Sequence, residues 1–223
     1  MEFVPAFPQF IKDHDLQPVQ IYNCDETALF YRTLPDRTLA LPSEKSCSNK
    51  GCKTIKDRVN LLFACNWTVD HKLPPLMVGK YQNPRCFHNI NRSKLPVIYD
   101  HSKNAWMTGT IFKSWFHDHF APAVRKHLRK HRLPEKAVLL LDNCPAHPPA
   151  DTLRSKDIFV HYLPKNTTSK IQPLDQGIIH AFKDHYRAAL TKSFLHTGSS
   201  QVESFLKHYY LKDAIYNIDI AMY

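Results

Sequence analysis

The sequence predicts a mixed α/β fold, a sheet flanked by helices. Three observations carry that reading. Four strand-sized apolar runs are spread over 223 residues, VQIYN (19–23), RVNLLFACN (58–66), AVLLLDN (137–143) and IFVHYL (158–163). One of them, in 137–143, has five consecutive apolar residues between Lys136 and Asp142, the pattern of a central strand covered on both faces. Near the C-terminus, Ile178, Ile179, Phe182, Tyr186, Ala189, Leu190 and Phe194 recur at helical period. Strands first, then helix, strand, strand and helix, is the order of a mixed sheet with helices on its faces.

Taken in order, residues 1–18 read as an N-terminal connecting segment with room for a short helix. VQIYN is the first strand, and ALFYRT (28–33) is a second apolar run able to pair with it. Residues 34–57 are polar and read as an exposed loop. RVNLLFACN is a strong strand, whereas LPPLMVG (73–79) carries two prolines, which demote it to an edge or irregular piece. Thr108 can cap a helix through Ile111, Trp115, Phe116, His119 and Phe120, with Pro122 breaking or kinking it before AVRKHLRKH resumes. The last long helix is expected to begin near Asp175, and VESFLKHYYLKDAIY (202–216) reads as one shorter closing helix.

Composition excludes several functions. The five glycines, at 51, 79, 109, 177 and 198, are too scattered for a dinucleotide or phosphate-binding loop. No G-x-S-x-G occurs, so a nucleophile elbow is absent. The first ten residues lack the basic and apolar segments of a signal peptide, and no apolar run spans a bilayer, which predicts a soluble intracellular protein with reduced thiols. Cys47 and Cys52 form a lone C-x4-C without a second pair, a weak zinc pattern. His127 and His131 are four apart and could share a helix face as metal ligands, but their setting, AVRKHLRKHRL, favours a solvated basic face. With 30 Lys and Arg against 20 Asp and Glu the formal charge is +10, which favours polyanionic partners, nucleic acid first. Arg125, Lys126, Arg129, Lys130 and Arg132 concentrate part of it and are the candidate phosphate contacts, a solubilising helix surface being an equal reading.

Three acids stand at positions where chemistry can be built. Asp25 follows the first strand, Asp142 ends the central one, and Asp175 opens QPLDQGII. Singly, each is explained by a turn or a helix cap. Together, strands that neighbour each other would present Asp25 and Asp142 from one region of the sheet, and positions 175, 179, 182 and 186 would share the helix face packed on it. Three convergent carboxylates repel and call for divalent cations; hard oxygen donors suit Mg²⁺ or Mn²⁺, and a two-metal site of that kind performs phosphoryl transfer.

The segments NCDETALF, KDRVNLLFACNWTVDHKLPPLMVGK, VLLLDNCPAH and FVHYLPKNTTSKIQPLDQGIIHAFKDHYR resemble the catalytic domain of pogo/Tigger-type and jerky-type transposases, DDE endonucleases of the mariner-like superfamily. The resemblance covers about residues 20–190, and the 32 residues between Asp142 and Asp175 match pogo-like enzymes with a third Asp. It implies an RNase H-like mixed sheet flanked by helices over residues 19–223. Asp25, Asp142 and Asp175 are then the catalytic, metal-binding acids of a two-metal Mg²⁺ or Mn²⁺ site that cleaves and joins DNA strands. It further implies DNA as the partner, no membrane, a nuclear location and, as an expectation, a homodimer. Asn143, His147, Gln172 and Gln176, with Asn166, Thr167 and Thr168, match the family motifs as residues shaping the site, ordinary capping being an even alternative. Glu26, on the opposite face of the strand from Asp25, is a poor candidate for the same metal pair. Only 24 residues precede Asp25, so no helix-turn-helix DNA-binding domain is expected in this chain. A domesticated, catalytically silent nuclear DNA-binding protein that keeps the fold is the alternative function.

Overall fold

The computed structural model describes residues 3–34, 57–144, 147–164, 172, 174, 177–197 and 202–222. After helix α1 (Phe3–Asp13) come strands β1 (Ile21–Phe30), β2 (Arg58–Asn66), β3 (Leu76–Gly79) and β4 (Ile98–His101). Helices α2 (Gly109–Trp115) and α3 (Ala121–Lys130) follow, then β5 (Ala137–Leu141), β6 (Arg154–Ser155) and β7 (Ile158–Tyr162). Helices α4 (Ile178–His196), α5 (Val202–His208) and α6 (Leu211–Ala221) complete the order. The strands form one seven-stranded sheet in the order β4-β3-β2-β1-β5-β7-β6. β1–β2, β2–β3 and β6–β7 are antiparallel; β3–β4, β1–β5 and β5–β7 are parallel. The sheet is mixed, as its sequence predicts.

Alternation along β1 and β5 assigns the two faces. Tyr22, Cys24, Leu139 and Leu141 point to the face covered by Phe112, Trp115, Phe120, Val124 and Leu128 of the α2–α3 region. Leu29, Leu61 and Phe63 point to the other, where Phe182, Tyr186 and Leu190 of α4 meet Ile215 and Ile218 of α6. The N-terminal segment carries a whole helix, and Phe7, Phe10 and Ile11 of α1 pack against Ile21, Val138 and Leu140. Each large side chain fully buried in these layers contributes about 1.5–3 kcal/mol relative to exposure.

Four local expectations change. The runs at 19–23 and 28–33 are not two paired strands but parts of one strand, β1, continuous through Asp25, Glu26 and Thr27. β3 is interior rather than an edge, because Pro74 and Pro75 precede it and cost it no ladder hydrogen bond. Thr108 caps α2 as predicted, its Oγ1 accepting from the Ile111 amide, but Pro122 does not break the helix. It lies in the first turn of α3, where its missing amide is tolerated, after one wide π turn over Phe116–Phe120 that joins α2 to α3. The C-terminal stretch forms two helices rather than one, and α4 begins at Ile178, after Gly177 adopts the left-handed conformation (φ 100°). Ile178 is consequently exposed, while Ile179, Phe182, Tyr186 and Leu190 are buried as the periodicity requires. Cys47 and Cys52 and nearly all of the 34–57 stretch lie outside the described residues.

Candidate active site

β1 and β5 run parallel with Ile21 opposite Val138, Tyr22 opposite Leu139 and Asn23 opposite Leu140. Carried two residues past the last pair, that register sets Asp25 opposite Asp142, the residue that follows β5. Adjacent strands lie about 4.8 Å apart, so the two backbones that carry these acids are neighbours at the carboxyl end of β5. Open sheets place their ligands beyond the carboxyl ends of parallel strands.

Asp25 is 7% exposed although it sits mid-strand among apolar neighbours. Its Oδ1 accepts the Glu26 amide at 2.8 Å. On the same face two residues earlier, buried Asn23 stitches three segments together. Its Nδ2 donates to the Leu140 carbonyl at 3.1 Å, and its Oδ1 accepts from the Leu174 amide at 3.3 Å. Gln172 is fully buried and donates through Nε2 to the Cys24 carbonyl at 3.2 Å. The segment that leads to Asp175 is therefore tied to β1 beside Asp25. Asp175 and Gln176, like Asn166, Thr167 and Thr168, lie outside the described residues.

Glu26 leaves β1 on the opposite face from Asp25, as strand parity requires, yet it is not remote from Asp142. His147 comes back over the end of β5 with Nε2 2.9 Å from Glu26 Oε1 and Nδ1 3.2 Å from Asp142 Oδ1. One ligand atom from each of Glu26, Asp142 and His147 lies within 4.8 Å of the others. The His147 ring rests on Phe112 at a centroid distance of 4.9 Å, which fixes its plane. Burial alone would lower its pKa, but the two carboxylates outweigh it and push it up to about 10, so His147 is an imidazolium at neutral pH. The Cys24 thiol beneath registers the same crowding of negative charge. It is raised by burial first and then by Glu26, Asp25 and Asp142.

The donor set suits a hard divalent cation. Asp25 and Asp142 offer carboxylate oxygens from adjoining strands, and the His147 proton lies against Glu26 and Asp142. Glu26 belongs to this group, a role the strand-parity argument did not reveal. Only its place in NCDET, next to Asp25, could have signalled it. Asn143 is exposed at the mouth of the site.

The basic cluster is partly occupied. Arg125 is half-buried and donates to the Ser155 carbonyl and hydroxyl, and both Arg125 and Arg129 face Glu135. Lys126, Lys130 and Arg132 are exposed. Instead of the solvated basic face expected for the whole AVRKHLRKH stretch, His127 is buried and directed at Asp70.

A family model described as DDE superfamily endonuclease matches residues 56–222. The human Jerky protein homolog is 41% identical over 187 residues, covering 83% of this chain and 32% of the relative. Human Tigger transposable element-derived protein 7 is 37% identical over 230 residues, covering 96% of this chain and 41% of the relative. The chain thus spans about a third to two fifths of the length of these relatives. Among solved structures, the Mos1 mariner paired end complex with Mn aligns with a TM-score of 0.53 at 11% identity, over 96% of this chain and 56% of that one. A pre-cleavage Mos1 transpososome aligns with a TM-score of 0.52 at 12% identity, over 98% and 59%. At that identity the likeness is one of fold, and the fold is RNase H-like.

Proposed function

The chain belongs to the DDE superfamily endonuclease family, as a transposase-derived domain, and on that premise we propose that it is a divalent-metal-dependent DNA endonuclease and strand-transfer domain. The observation that carries the reading is the register that sets Asp25 opposite Asp142 on adjacent parallel strands, with Gln172 tying the Asp175 segment alongside. Asp25, Asp142 and Asp175 would hold Mg²⁺ or Mn²⁺. When bound, such ions supply an activated water or hydroxyl as nucleophile and charge stabilisation for the leaving oxygen of a phosphodiester.

The remaining work falls to the chain itself. Asn23 and Gln172 hold the third acid's segment against β1. His147, held on its far side by Glu26, lies against the Asp142 carboxylate, so that its orientation is set before DNA arrives. Lys126, Lys130 and Arg132, with Arg125 and Arg129 behind them, contribute sequence-independent attraction to the DNA backbone. Residues 19–223 act as the catalytic unit, with α1 packed upon it; DNA is the partner, the location nuclear and the assembly a homodimer. The relative derived from a Tigger transposable element and the Mos1 complex with Mn support the proposal. No helix among the described residues is long and apolar enough to cross a membrane.

The test is nicking of supercoiled plasmid with Mg²⁺ or Mn²⁺, comparing the chain with Asp142→Asn. Metal-dependent nicking that disappears in the variant is expected; cleavage without metal, or cleavage indifferent to Asp142→Asn, overturns it. One observation favours a second reading, a silent domesticated DNA-binding protein: the His147 imidazolium already supplies a positive charge between Glu26 and Asp142. Salt-dependent DNA binding without any turnover would select that reading.

A further inference from the structure

A second group of histidines and a carboxylate lies well away from these acids, at the opposite end of the β1–β5 pairing. Asp70 and His71 come from the turn after β2, His127 from the last turn of α3, and His131 directly after it. One ligand atom from each of Asp70, His127 and His131 lies within 4.8 Å of the others. His127 is only 9% exposed. Its Nε2 is fully buried and has no hydrogen-bond partner among the described residues, with Asp70 Oδ1 3.8 Å away. That is beyond hydrogen-bond reach, and buried polar nitrogens are rarely left so.

From this geometry we propose that Asp70, His127 and His131 form a binding site for a zinc-class transition-metal cation. Two imidazoles and one carboxylate are borderline donors of the kind zinc takes, with a water able to complete a tetrahedron on the exposed Asp70 side. Bonds of about 2.0–2.1 Å require donors about 3.3 Å apart, so His127 and Asp70, 3.8 Å apart, must close by about 0.5 Å and the other pairs, within 4.8 Å, by no more than about 1.5 Å. Asp70 and His131 are exposed and can supply that movement, while buried His127 stays fixed.

The surroundings already orient the ligands. Asp70 Oδ1 accepts from Asn66 Nδ2 at 2.6 Å and Thr68 Oγ1 at 2.7 Å, and these bonds hold its carboxyl below the usual range and ionised. The His71 ring lies parallel to His127 at 4.2 Å and is itself held by the Tyr22 hydroxyl, 2.8 Å from its Nδ1. Burial first, then the neighbouring His131 and Lys130, lower the pKa of His127 against the pull of Asp70, which favours the neutral imidazole with a lone pair to give. A bound cation would clasp the β2–β3 turn to the C-terminal end of α3.

The experiment is calorimetric titration of the folded chain with Zn²⁺ alone, alongside Asp70→Asn, His131→Ala and His147→Ala. Asp70 and His131 are exposed, so both variants keep the fold, which a thermal melt checks. Zinc affinity at least tenfold weaker in Asp70→Asn and in His131→Ala, but retained in His147→Ala, is the expected result. Co²⁺ should give visible d–d absorption bands that His131→Ala removes. Absence of zinc binding by the unaltered chain, unchanged affinity in both exposed-ligand variants, or loss only in His147→Ala would overturn the proposal. None of these outcomes depends on DNA cleavage.

Discussion

The molecule carries two histidine–carboxylate groups built from the same side chains and held in opposite charge states. At the end of β5 one imidazole, His147, lies between two acids, Glu26 and Asp142, and its pKa rises to about 10. At the end of α3 a single acid, Asp70, faces His127 and His131, with His71 stacked behind. There burial and mutual repulsion win, and His71 falls to about 4. Burial opposes the charged imidazole in both places, so the ratio of carboxylates to imidazoles decides the outcome. An acid-rich pocket with one proton is prepared for a hard cation, and an imidazole-rich one with a single acid for a softer one.

The sharpest way to break this contrast is at the acid-rich end. Asp142→Asn is expected to reduce metal-dependent plasmid nicking by roughly 10³-fold or more, since a direct ligand is lost. His147→Ala should cost less, about 10–100-fold in the same assay, as expected for a residue that orients a ligand without being one. Equal losses from the two substitutions would erase that distinction. At the imidazole-rich end, His131→Ala should leave nicking rates unchanged while weakening Zn²⁺ at least tenfold, which separates the two groups functionally. Charge neutralisation comes next. Replacing Lys126, Lys130 and Arg132 with Gln should flatten the salt dependence of DNA binding by up to about one unit of slope each, whereas Arg129→Gln, whose partner is Glu135, should change it less. The smallest effect is a control from neither group. His161, half-buried against Phe10 and facing His14, has a lowered pKa, so the unfolded chain takes up its proton first. Stability then falls as pH drops below about 6.5, and His161→Phe should lessen the loss of urea midpoint between pH 7 and 5.

Sequence legibility followed burial. RVNLLFACN, AVLLL and IFVHY read as strands because the layers packed on the sheet bury them wholly or in large part. β4, with only half-buried and exposed residues at the sheet edge, and two-residue β6 carry no such signal. β1 read as two pieces because Asp25, Glu26 and Thr27 interrupt its apolar pattern, and that interruption is the candidate site itself. Asp25 and Asp142 were visible as acids at strand ends, but their alignment needed the register of two strands more than a hundred residues apart. Glu26 was hidden for a related reason. Parity says where a side chain leaves its strand, and nothing about a loop such as the one bearing His147 that returns to meet it. The Asp70–His127 approach likewise joins a turn to a helix with no shared motif between them.

The wide turn at Phe116–Phe120 has a consequence for aim. Phe112, Phe116, Phe120, Val124 and Leu128 are spaced by fours and all are buried. In an unbroken α-helix each such step would rotate the ridge by about 40°, and after four steps it would face away from the sheet. One widened turn lets out that accumulated rotation, working as a slip joint that resets the phase of α3 against α2. Regular α-helical winding through these residues, with none removed, would turn everything downstream by about 100°. The side chains swung off target would include His127, whose bearing on Asp70 is thus timed by a register shift seven residues upstream.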